Sequence, residues 1–324
     1  MKKNNINKRF LVIGDIHLSD IKPQSRIDSY TDTCFNKLEQ CFQLAVENNC
    51  CAILQTGDIY HLKNPAKTSH SLIIRTMSLL KKYEQIPFYA IVGNHDILNN
   101  SLASLPSQPL GVMAESGLIH LIDGETIIEG IRIIGFPFKE SYVTKDFCIK
   151  RKGDEKIIEI IHALATDGKE RSIFGETIFG YADLAKESDT DVYVFGHWHK
   201  DQGVINKHDK WFVNIGSLTR GALDEDNIDR QVKCAIIDIG DDTSVTEIPL
   251  KMAPSYEVFN LETREEKEKE TEHIKQFVQT LNERFDVIEE LDDPTLALDE
   301  LGKGKKLSNV VYQRAKKYLE EAET

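Results

Sequence analysis

The sequence predicts an α/β fold in which two β-sheets pack together with helices on their outer faces. Short apolar runs recur along the chain, and each ends in a cluster of Gly, Asp, Asn or His where a loop should begin. Helical segments separate the first of these runs, which is typical of strand-helix-strand units. Beyond residue 117 the pattern changes to short strands joined by tight turns, which indicates a second, mixed sheet.

The amino-terminal part of the chain predicts alternating strands and helices. Strands are expected at residues 10–13, 51–55 and 88–92. Apolar residues at helical spacing predict one helix at residues 31–49 and another around residues 72–80. Because right-handed crossovers make such strands parallel neighbours, the polar loops after them should converge on one edge of the sheet.

The middle of the chain predicts further strands. We expect three strands of the second sheet at residues 118–122, 126–129 and 131–136. A strand at residues 157–161 ends at His162, and a strand at residues 192–195 ends at the segment Gly-His-Trp-His of residues 196–199. Additional strands are expected at residues 210–213, 232–239 and 244–250.

The composition changes after residue 251. We expect a strand at residues 255–261, a charged helix at 265–284, a strand at 286–291 and an amphipathic helix at about 308–321. The predicted domains are a main domain at residues 1–252, a small α+β capping module at 253–295, and a linker with a terminal helix at 296–324. An isolated helix of that length is marginal in water, so its apolar stripe is expected to bind a partner.

The bulk composition indicates a folded, cytoplasmic protein. Of 324 residues, 40% are hydrophobic and 29% are charged, as in ordinary globular domains. The six Cys lack the paired spacing of a zinc site or a disulfide scaffold, so we expect reduced thiols. No apolar run is long enough for a signal-peptide core or a membrane span. The net charge of −13 does not indicate a nucleic-acid-binding protein unless metal ions or a partner subunit supply positive charge.

Potential metal ligands follow five of the predicted strands. A two-metal hydrolase needs a carboxylate that bridges both ions and a surrounding set of imidazole and oxygen ligands. The five loops supply Asp15, His17, Asp58, Asn94, His162, His197 and His199. His120 is an alternative to His162, but it lies inside a predicted strand, whereas His162 follows one. The sequence therefore predicts a centre for two divalent ions.

The ordered series of motifs resembles the calcineurin-like metallophosphoesterase superfamily. The series is Gly-Asp-Ile-His at residues 14–17, Gly-Asp-Ile-Tyr-His at 57–61, Gly-Asn-His-Asp at 93–96, a lone His162, and Gly-His-Trp-His at 196–199. One such motif alone is a weak signal, whereas five in this order at strand ends are specific. The resemblance spans about residues 9–250, and it implies an αββα sandwich of two sheets.

The resemblance also implies a role for each residue of the site. One ion would be bound by Asp15, His17 and His199, the other by Asn94, His162 and His197, with Asp58 bridging them. His95 would stabilise or protonate the leaving oxygen, and Asp96 would hold the His95 ring in its tautomer. The implied cofactor is a pair of divalent ions, with manganese favoured over iron or zinc, although these ligand types suit all three.

Within the superfamily the chain looks most like the SbcD and Mre-type DNA repair nucleases of bacteria and bacteriophages. The features are His61, Pro65, the Asn-Ile-Gly-Ser segment at residues 214–217, and the tail. In that group the position of His61 lies beside DNA and influences how duplex ends are processed. Ile215 departs from the Pro of many relatives, and the region after residue 251 is shorter than in the longer cellular members.

This finer resemblance implies a DNA exonuclease and single-strand endonuclease that works with an SbcC-type coiled-coil ATPase. The C-terminal helix would bind the ATPase, and a homodimer is possible. One alternative is a phosphodiesterase or phosphatase of nucleotides or other small molecules. Protein phosphatases of the superfamily carry Asp-Arg-Gly after the second motif, where this chain has His61-Leu62-Lys63. A second alternative is a scaffold without catalysis, although every ligand position is filled here.

Overall fold

The computed structural model describes residues 8–261, apart from residues 171 and 174, together with residues 312, 313 and 316. The chain divides into two compact units, Met1–Phe259 and Asn260–Thr324, and the elements below lie in the first. The strands are β1 Lys8–Ile13, β2 Ala52–Gln55, β3 Phe88–Ala90, β4 His120–Leu121, β5 Gly124–Ile128, β6 Ile131–Phe136, β7 Ile157–His162, β8 Ala165–Thr166, β9 Ser172–Ile173, β10 Glu176–Thr177, β11 Phe179–Gly180, β12 Val192–Gly196, β13 Asp201–Lys207, β14 Lys210–Ile215, β15 Lys233–Ile239 and β16 Thr243–Pro249. The α-helices are α1 Tyr30–Glu47, α2 His70–Lys82, α3 Pro109–Glu115, α4 Tyr181–Glu187, α5 Glu225–Ile228 and α6 Ser255–Val258, and short 3-10 helices span Pro65–Lys67, Leu102–Ser107 and Thr144–Phe147.

The first sheet has six strands in the order β16-β15-β1-β2-β3-β4. Strands β1 to β4 are parallel neighbours, as predicted for crossovers through helices α1 and α2. Strands β15 and β16 extend the sheet beyond β1 as an antiparallel pair. The loops after β1, β2 and β3 therefore emerge at the same edge of the sheet.

The second sheet also has six strands, in the order β13-β14-β12-β7-β6-β5. Its four central strands, β14, β12, β7 and β6, are parallel to one another. The outer strands β13 and β5 are antiparallel to their neighbours, so each closes an edge as a hairpin. This mixture of pairings confirms the second, mixed sheet that the turn-rich part of the sequence predicts.

Alternating side chains along the strands build a layered core. In β1, Leu11 packs with residues of helices α1 and α2, while the next residue, Val12, packs in the cluster between the two sheets. In β12, Val194 joins that same cluster, and Phe195 packs with residues of α4 on the other face. The order of layers is helices, sheet, sheet, helix, which confirms the predicted αββα sandwich.

Both predicted amino-terminal helices form close to their expected positions. Helix α1 buries one face, with Cys34, Leu38 and Phe42 on it. Helix α2 begins after the N-cap Ser69, whose hydroxyl accepts a hydrogen bond from the Leu72 N–H at 3.1 Å. These helices cover the outer face of the first sheet.

Three details of the predicted strands are wrong. Residues 120–121, expected in the second sheet, pair with β3 at the edge of the first, where His120 lies opposite Tyr89. Strand β13 was not predicted, because its residues are only half-buried and lack an apolar run. Residues 255–261 were expected to form a strand, but Ser255–Val258 is a short helix that begins after Pro254, whose fixed φ suits a helix start.

The predicted capping module and terminal helix fall mostly outside the described residues. The expected elements at residues 265–284 and 286–291 lie wholly outside them, while residues 312, 313 and 316 of the terminal segment are helical. All six Cys are free thiols, and four of them are buried. None of the helices within the described ranges has the length and apolar character to cross a membrane.

Lys37 is a buried lysine on α1 whose amine should reduce stability near neutral pH. Its side chain is almost inaccessible, and burial, together with the charges of Arg26 and Arg220, lowers its pKa to about 7. Between pH 7 and 10.5 the unfolded chain therefore holds a proton that the folded chain releases, so stability rises with pH across that window. We expect Lys37→Met to raise the free energy of unfolding at pH 7 by about 1–3 kcal/mol and to flatten this rise.

Urea denaturation at pH 7 and pH 9.5 measures both effects. Lys81→Met is the matched control, because Lys81 is exposed in the last turn of α2 and should change neither stability nor its pH slope. An unchanged pH slope in Lys37→Met would contradict the assignment of the slope to this amine.

Candidate metal centre

Loops from both sheets meet at one site and are tied together by hydrogen bonds. The Asp15 carboxylate after β1 accepts a bond from the Thr56 hydroxyl at 2.8 Å and another from the His197 N–H at 2.8 Å. After β2, the Asp58 Oδ1 atom accepts a bond from the His95 N–H at 2.7 Å. The loops after β1, β2, β3 and β12 thus fix one another, and His162 at the end of β7 completes the site.

The first group of potential ligands consists of Asp15, His17, Asp58 and His199, with ligand atoms all within 4.8 Å of one another. The Nε2 atoms of His17 and His199 are 2.7 Å apart. The His199 Nε2 is 3.5 Å from Asp15 Oδ2, and the His17 Nε2 is 3.7 Å from Asp58 Oδ2. Two imidazoles and two carboxylates therefore point their donor atoms at one small volume.

The second group consists of Asp58, His162 and His197, again within 4.8 Å. The His162 Nδ1 donates a hydrogen bond to the Thr56 carbonyl at 2.7 Å, since a carbonyl only accepts. In the neutral ring Nε2 therefore carries the lone pair, and that atom lies 3.1 Å from Asn94 Oδ1 and 3.5 Å from Asp58 Oδ2. Burial opposes protonation of this ring, yet the charge of Asp58 raises the pKa of His162 to about 9, so the ring must release its Nε2 proton to bind a cation. Asn94 thus joins this group, and the structure brings all seven predicted ligand residues together.

Asp58 is common to both groups and has a free oxygen between them. Its Oδ2 atom is buried and accepts no hydrogen bond within the described part of the chain, and the Nε2 atoms of His162 and His17 lie 3.5 Å and 3.7 Å from it. A buried, unpartnered carboxylate oxygen is unfavourable unless a cation binds it. With imidazole, carboxylate and amide donors around it, this atom fits the position of a ligand shared by two divalent ions.

Electrostatics at the site also favour bound cations. Burial raises the pKa of Asp15 to about 7, with Asp58 adding to the shift and His162 opposing it. Burial opposes ionisation of Asp58 too, yet the neighbouring charge of His162 leaves its pKa lowered. Burial and the nearby His199 lower the pKa of His17, which keeps this ring neutral and able to donate a lone pair. Asp15 thus lacks enough nearby positive charge to stay ionised, and a bound cation would supply it.

Three of the potential ligands occupy an unusual backbone conformation. The φ angles of His17, Asp58 and His197 are 54°, 54° and 78°. Side-chain-bearing residues with positive φ store about 1–3 kcal/mol each and concentrate at functional sites. The neighbouring Gly57 is also required, since a Cβ there would lie 2.6 Å from His162 Nδ1.

His95 lies beside the ligand groups and is held by the main chain of residue 61. Its Nδ1 donates a hydrogen bond to the His61 carbonyl at 2.6 Å. Its ring stacks on the His61 ring at a centroid distance of 5.3 Å and lies 4.9 Å from the His17 ring. The His61 and His95 rings are thus in direct contact. Asp96, the other residue predicted for the second and third motifs, makes different contacts.

The predicted contact between Asp96 and the His95 ring is not formed, which corrects the role expected for Asp96. The buried Asp96 carboxylate instead accepts backbone hydrogen bonds from Ile59, Tyr60 and Gly93 at 3.0–3.1 Å. Three N–H donors of the adjacent loops therefore draw this carboxylate inward. Asp96 holds the second and third loops together, and the His61 carbonyl holds the ring.

Glu176 is a residue of the site that the sequence interpretation missed. It lies on β10 and its Oε2 is 2.7 Å from His197 Nε2, so the His197 ring donates from Nε2 and keeps its lone pair on Nδ1. Such a carboxylate beside a ligand histidine fixes the tautomer that binds metal. The only available signal was an acidic residue in a turn-rich segment, which is too common to identify it.

We expect Glu176→Ala to lower the affinity of the site for a divalent cation by about 10–100-fold. The physical reason is the loss of the acceptor that holds the His197 proton on Nε2. Isothermal titration with MnCl₂ measures the effect, and Glu187→Ala at the end of α4, away from the ligands, is the control. Equal affinities of Glu176→Ala and the wild-type protein would show that the contact does not orient the ring.

Comparison with known proteins gives a family match and several distant relatives. The sequence matches calcineurin-like phosphoesterase over residues 8–201. It is 24% identical over 229 residues to a DNA double-strand break repair protein Mre11 from Methanosarcina acetivorans, covering 67% of this chain and 35% of that protein. It is 23% identical over 202 residues to an Mre11 from Saccharolobus solfataricus, covering 59% of this chain and 49% of that protein.

A solved dimetal phosphatase from Danio rerio aligns with 76% of this chain and 99% of its own, with 11% identity and a TM-score of 0.46. The chain spans between about a third and a half of the length of the two Mre11 relatives named above.

The family match covers more than half of the chain and contains all five motif loops, up to His199. The chain therefore belongs to the calcineurin-like phosphoesterase family.

Proposed function

We propose that the protein is a two-metal nuclease that hydrolyses phosphodiester bonds in DNA, as an exonuclease and a single-strand endonuclease, during end processing, repair or recombination. The observation that carries the proposal is the unpartnered Oδ2 of Asp58 between the His17 and His162 rings. The names of the Mre11 relatives support DNA as the substrate. Family membership supports the metal-dependent phosphoesterase chemistry.

The proposed ligand sets follow the two groups of side chains. Asp15, His17 and His199 bind one ion, Asn94, His162 and His197 bind the other, and Asp58 bridges them. We propose manganese, with iron and zinc as the alternatives that these ligand types also suit. When bound, a pair of divalent cations supplies Lewis-acid activation of the phosphodiester and of the attacking water.

His95 is the group proposed to act on the leaving oxygen. The His61 carbonyl fixes a proton on Nδ1, so Nε2 is the nitrogen that can exchange a proton with the substrate. The bond from the His95 N–H to Asp58 Oδ1 fixes the backbone of this residue beside the ligand groups. The stacked His61 ring supports the His95 ring, and we propose that it also lies next to DNA.

An assay with end-labelled duplex and single-stranded DNA in manganese tests the proposed function. We expect DNA cleavage that stops with a chelator and returns when manganese is added back. A small-molecule phosphodiesterase would instead turn over cyclic mononucleotides faster than DNA. A catalytically silent scaffold would cleave neither substrate and would retain no manganese, iron or zinc after reconstitution.

We further propose that the protein acts with an SbcC-type coiled-coil ATPase, bound by the C-terminal helix. The support is the predicted amphipathic segment at residues 308–321 and the proposed identity as a repair nuclease subunit. Removal of the residues after 302 is expected to abolish co-purification with such an ATPase while manganese-dependent cleavage of single-stranded DNA persists. Unchanged co-purification would refute the partner proposal.

A homodimer is a separate prediction, and light scattering of the purified protein would test it.

A further inference from the structure

A cavity of about 540 Å³ opens beside the metal centre. His17 and His199 form part of its wall, so it is continuous with the ligand groups. Several of its other walls are apolar and include Leu164, Ile173 and Trp198. Its volume lies within the range of small-ligand sites, about 300–1,000 Å³, and is large enough for a nucleoside.

Trp198 is an aromatic surface with no assigned partner. It lies in the chain between His197 and His199 and is half-buried in the cavity wall. Among the residues that the structure describes, no hydrogen bond or aromatic contact engages its indole. The second tryptophan, Trp211, is different, because its Nε1 donates to the Thr243 carbonyl at 2.9 Å and its ring packs against the core. Trp198 is thus available to stack on a flat ligand.

The charges around the cavity disfavour a phosphate group there. Lys200 is paired with Asp226 at 2.8 Å, so its positive charge is already compensated. Glu176 and Asp224 add two more carboxylates to the wall. This surface would repel the negative charge of a phosphodiester backbone, whereas an uncharged base would meet no such electrostatic repulsion on entering the cavity.

We propose that this cavity is a nucleobase subsite, in which Trp198 stacks on the base of the nucleotide next to the scissile phosphate. The proposal rests on the proposed nuclease function and adds a residue that positions the substrate. Since Trp198 directly adjoins two ligand residues, a base stacked on it keeps its own phosphate close to the metal centre. Stacking on any base is sequence-tolerant, which suits a nuclease without a fixed sequence preference.

Tryptophan fluorescence tests the contact directly. The chain has two Trp, so a Trp211→Phe variant leaves Trp198 as the only indole. With His95→Ala added to prevent cleavage, we expect a short oligothymidylate in manganese to quench this emission. An otherwise identical strand of abasic residues should not quench it. Equal quenching by both strands would overturn the stacking contact.

Kinetics with two small diesters separate the subsite from the metal centre. We expect Trp198→Leu to raise the KM for thymidine 5′-(p-nitrophenyl phosphate) about 10-fold, while the rate with methyl p-nitrophenyl phosphate, which lacks the nucleoside, stays unchanged. Trp198→Phe should restore most of the loss, and metal content should be equal in all variants. An equal loss with both diesters, or no loss with either, would refute the subsite.

The same assays distinguish this inference from the proposed function. DNA cleavage that is equal in Trp198→Leu and the wild-type protein would leave the nuclease function standing and remove the subsite. A wild-type protein that hydrolyses the thymidine diester but not DNA would refute the nuclease function, while the subsite would be supported as part of a nucleotide phosphodiesterase.

Discussion

Asp58→Asn is expected to abolish manganese retention and DNA cleavage together. The amide keeps an oxygen that can accept the His95 N–H bond, but it removes the negative charge from the buried oxygen shared by both ligand groups. Loss of a direct, charged ligand should weaken metal binding by more than the roughly 10–100-fold typical of residues that only support a ligand. Metal analysis after gel filtration and end-labelled DNA assays measure the two losses.

A matched control separates this effect from a general change of charge. Asp154→Asn makes the same chemical change at an exposed position, and it should retain both metal and activity. Circular dichroism should show that both variants remain folded. An Asp58→Asn protein that holds two manganese ions per chain would contradict the bridging role.

His95→Ala is expected to lower the rate of strand cleavage by about 10²–10⁴-fold without loss of metal. The reason is that its Nδ1 is occupied by the His61 carbonyl, while Nε2 is proposed to act on the leaving oxygen. Single-turnover cleavage of duplex DNA together with metal analysis provides the measurement. His95→Ala should therefore retain its metal, whereas Asp58→Asn should lose it. Both variants should lose activity.

The ring positions also allow a competing interpretation of His95. His17, His61 and His95 form a third group whose nitrogens lie within 4.8 Å of one another. If His95→Ala lost a metal ion, this group would have to be a metal site and the proposed role of His95 would be wrong. His70→Ala, at an exposed position at the start of α2, is the control and should change neither metal content nor rate.

The arrangement of the site was predictable because its residues follow strands that the sequence marks clearly. Apolar runs located β1, β2 and β7, and the rule that parallel strands share a carboxyl edge placed their loops together. For this reason Asp15, Asp58 and His162 could be selected before their distances were known. The separate core clusters on the two faces of the first sheet follow from the same alternation, as Leu11 and Val12 show.

What the sequence did not predict depends on contacts between distant segments. The two residues of β4 are assigned to a sheet only by their pairing with β3, which no local pattern encodes. The inward turn of Asp96 depends on N–H groups of another loop, and the contact of Glu176 with His197 depends on the placement of a short hairpin. The positive φ of Asp58 likewise depends on the loops around it, because Asp tolerates this conformation but does not require it.

The hydrogen-bond acceptor that holds His95 has a consequence for mutagenesis. Because it is a peptide oxygen, every genetically encoded replacement of His61 preserves it, and a scan of side chains would miss its contribution. His61→Ala removes only the stacked ring, so any remaining activity reports on His95 held by the backbone alone. Replacement of the amide between residues 61 and 62 with an ester, made by semisynthesis, would weaken this oxygen as an acceptor while both imidazoles stay in place.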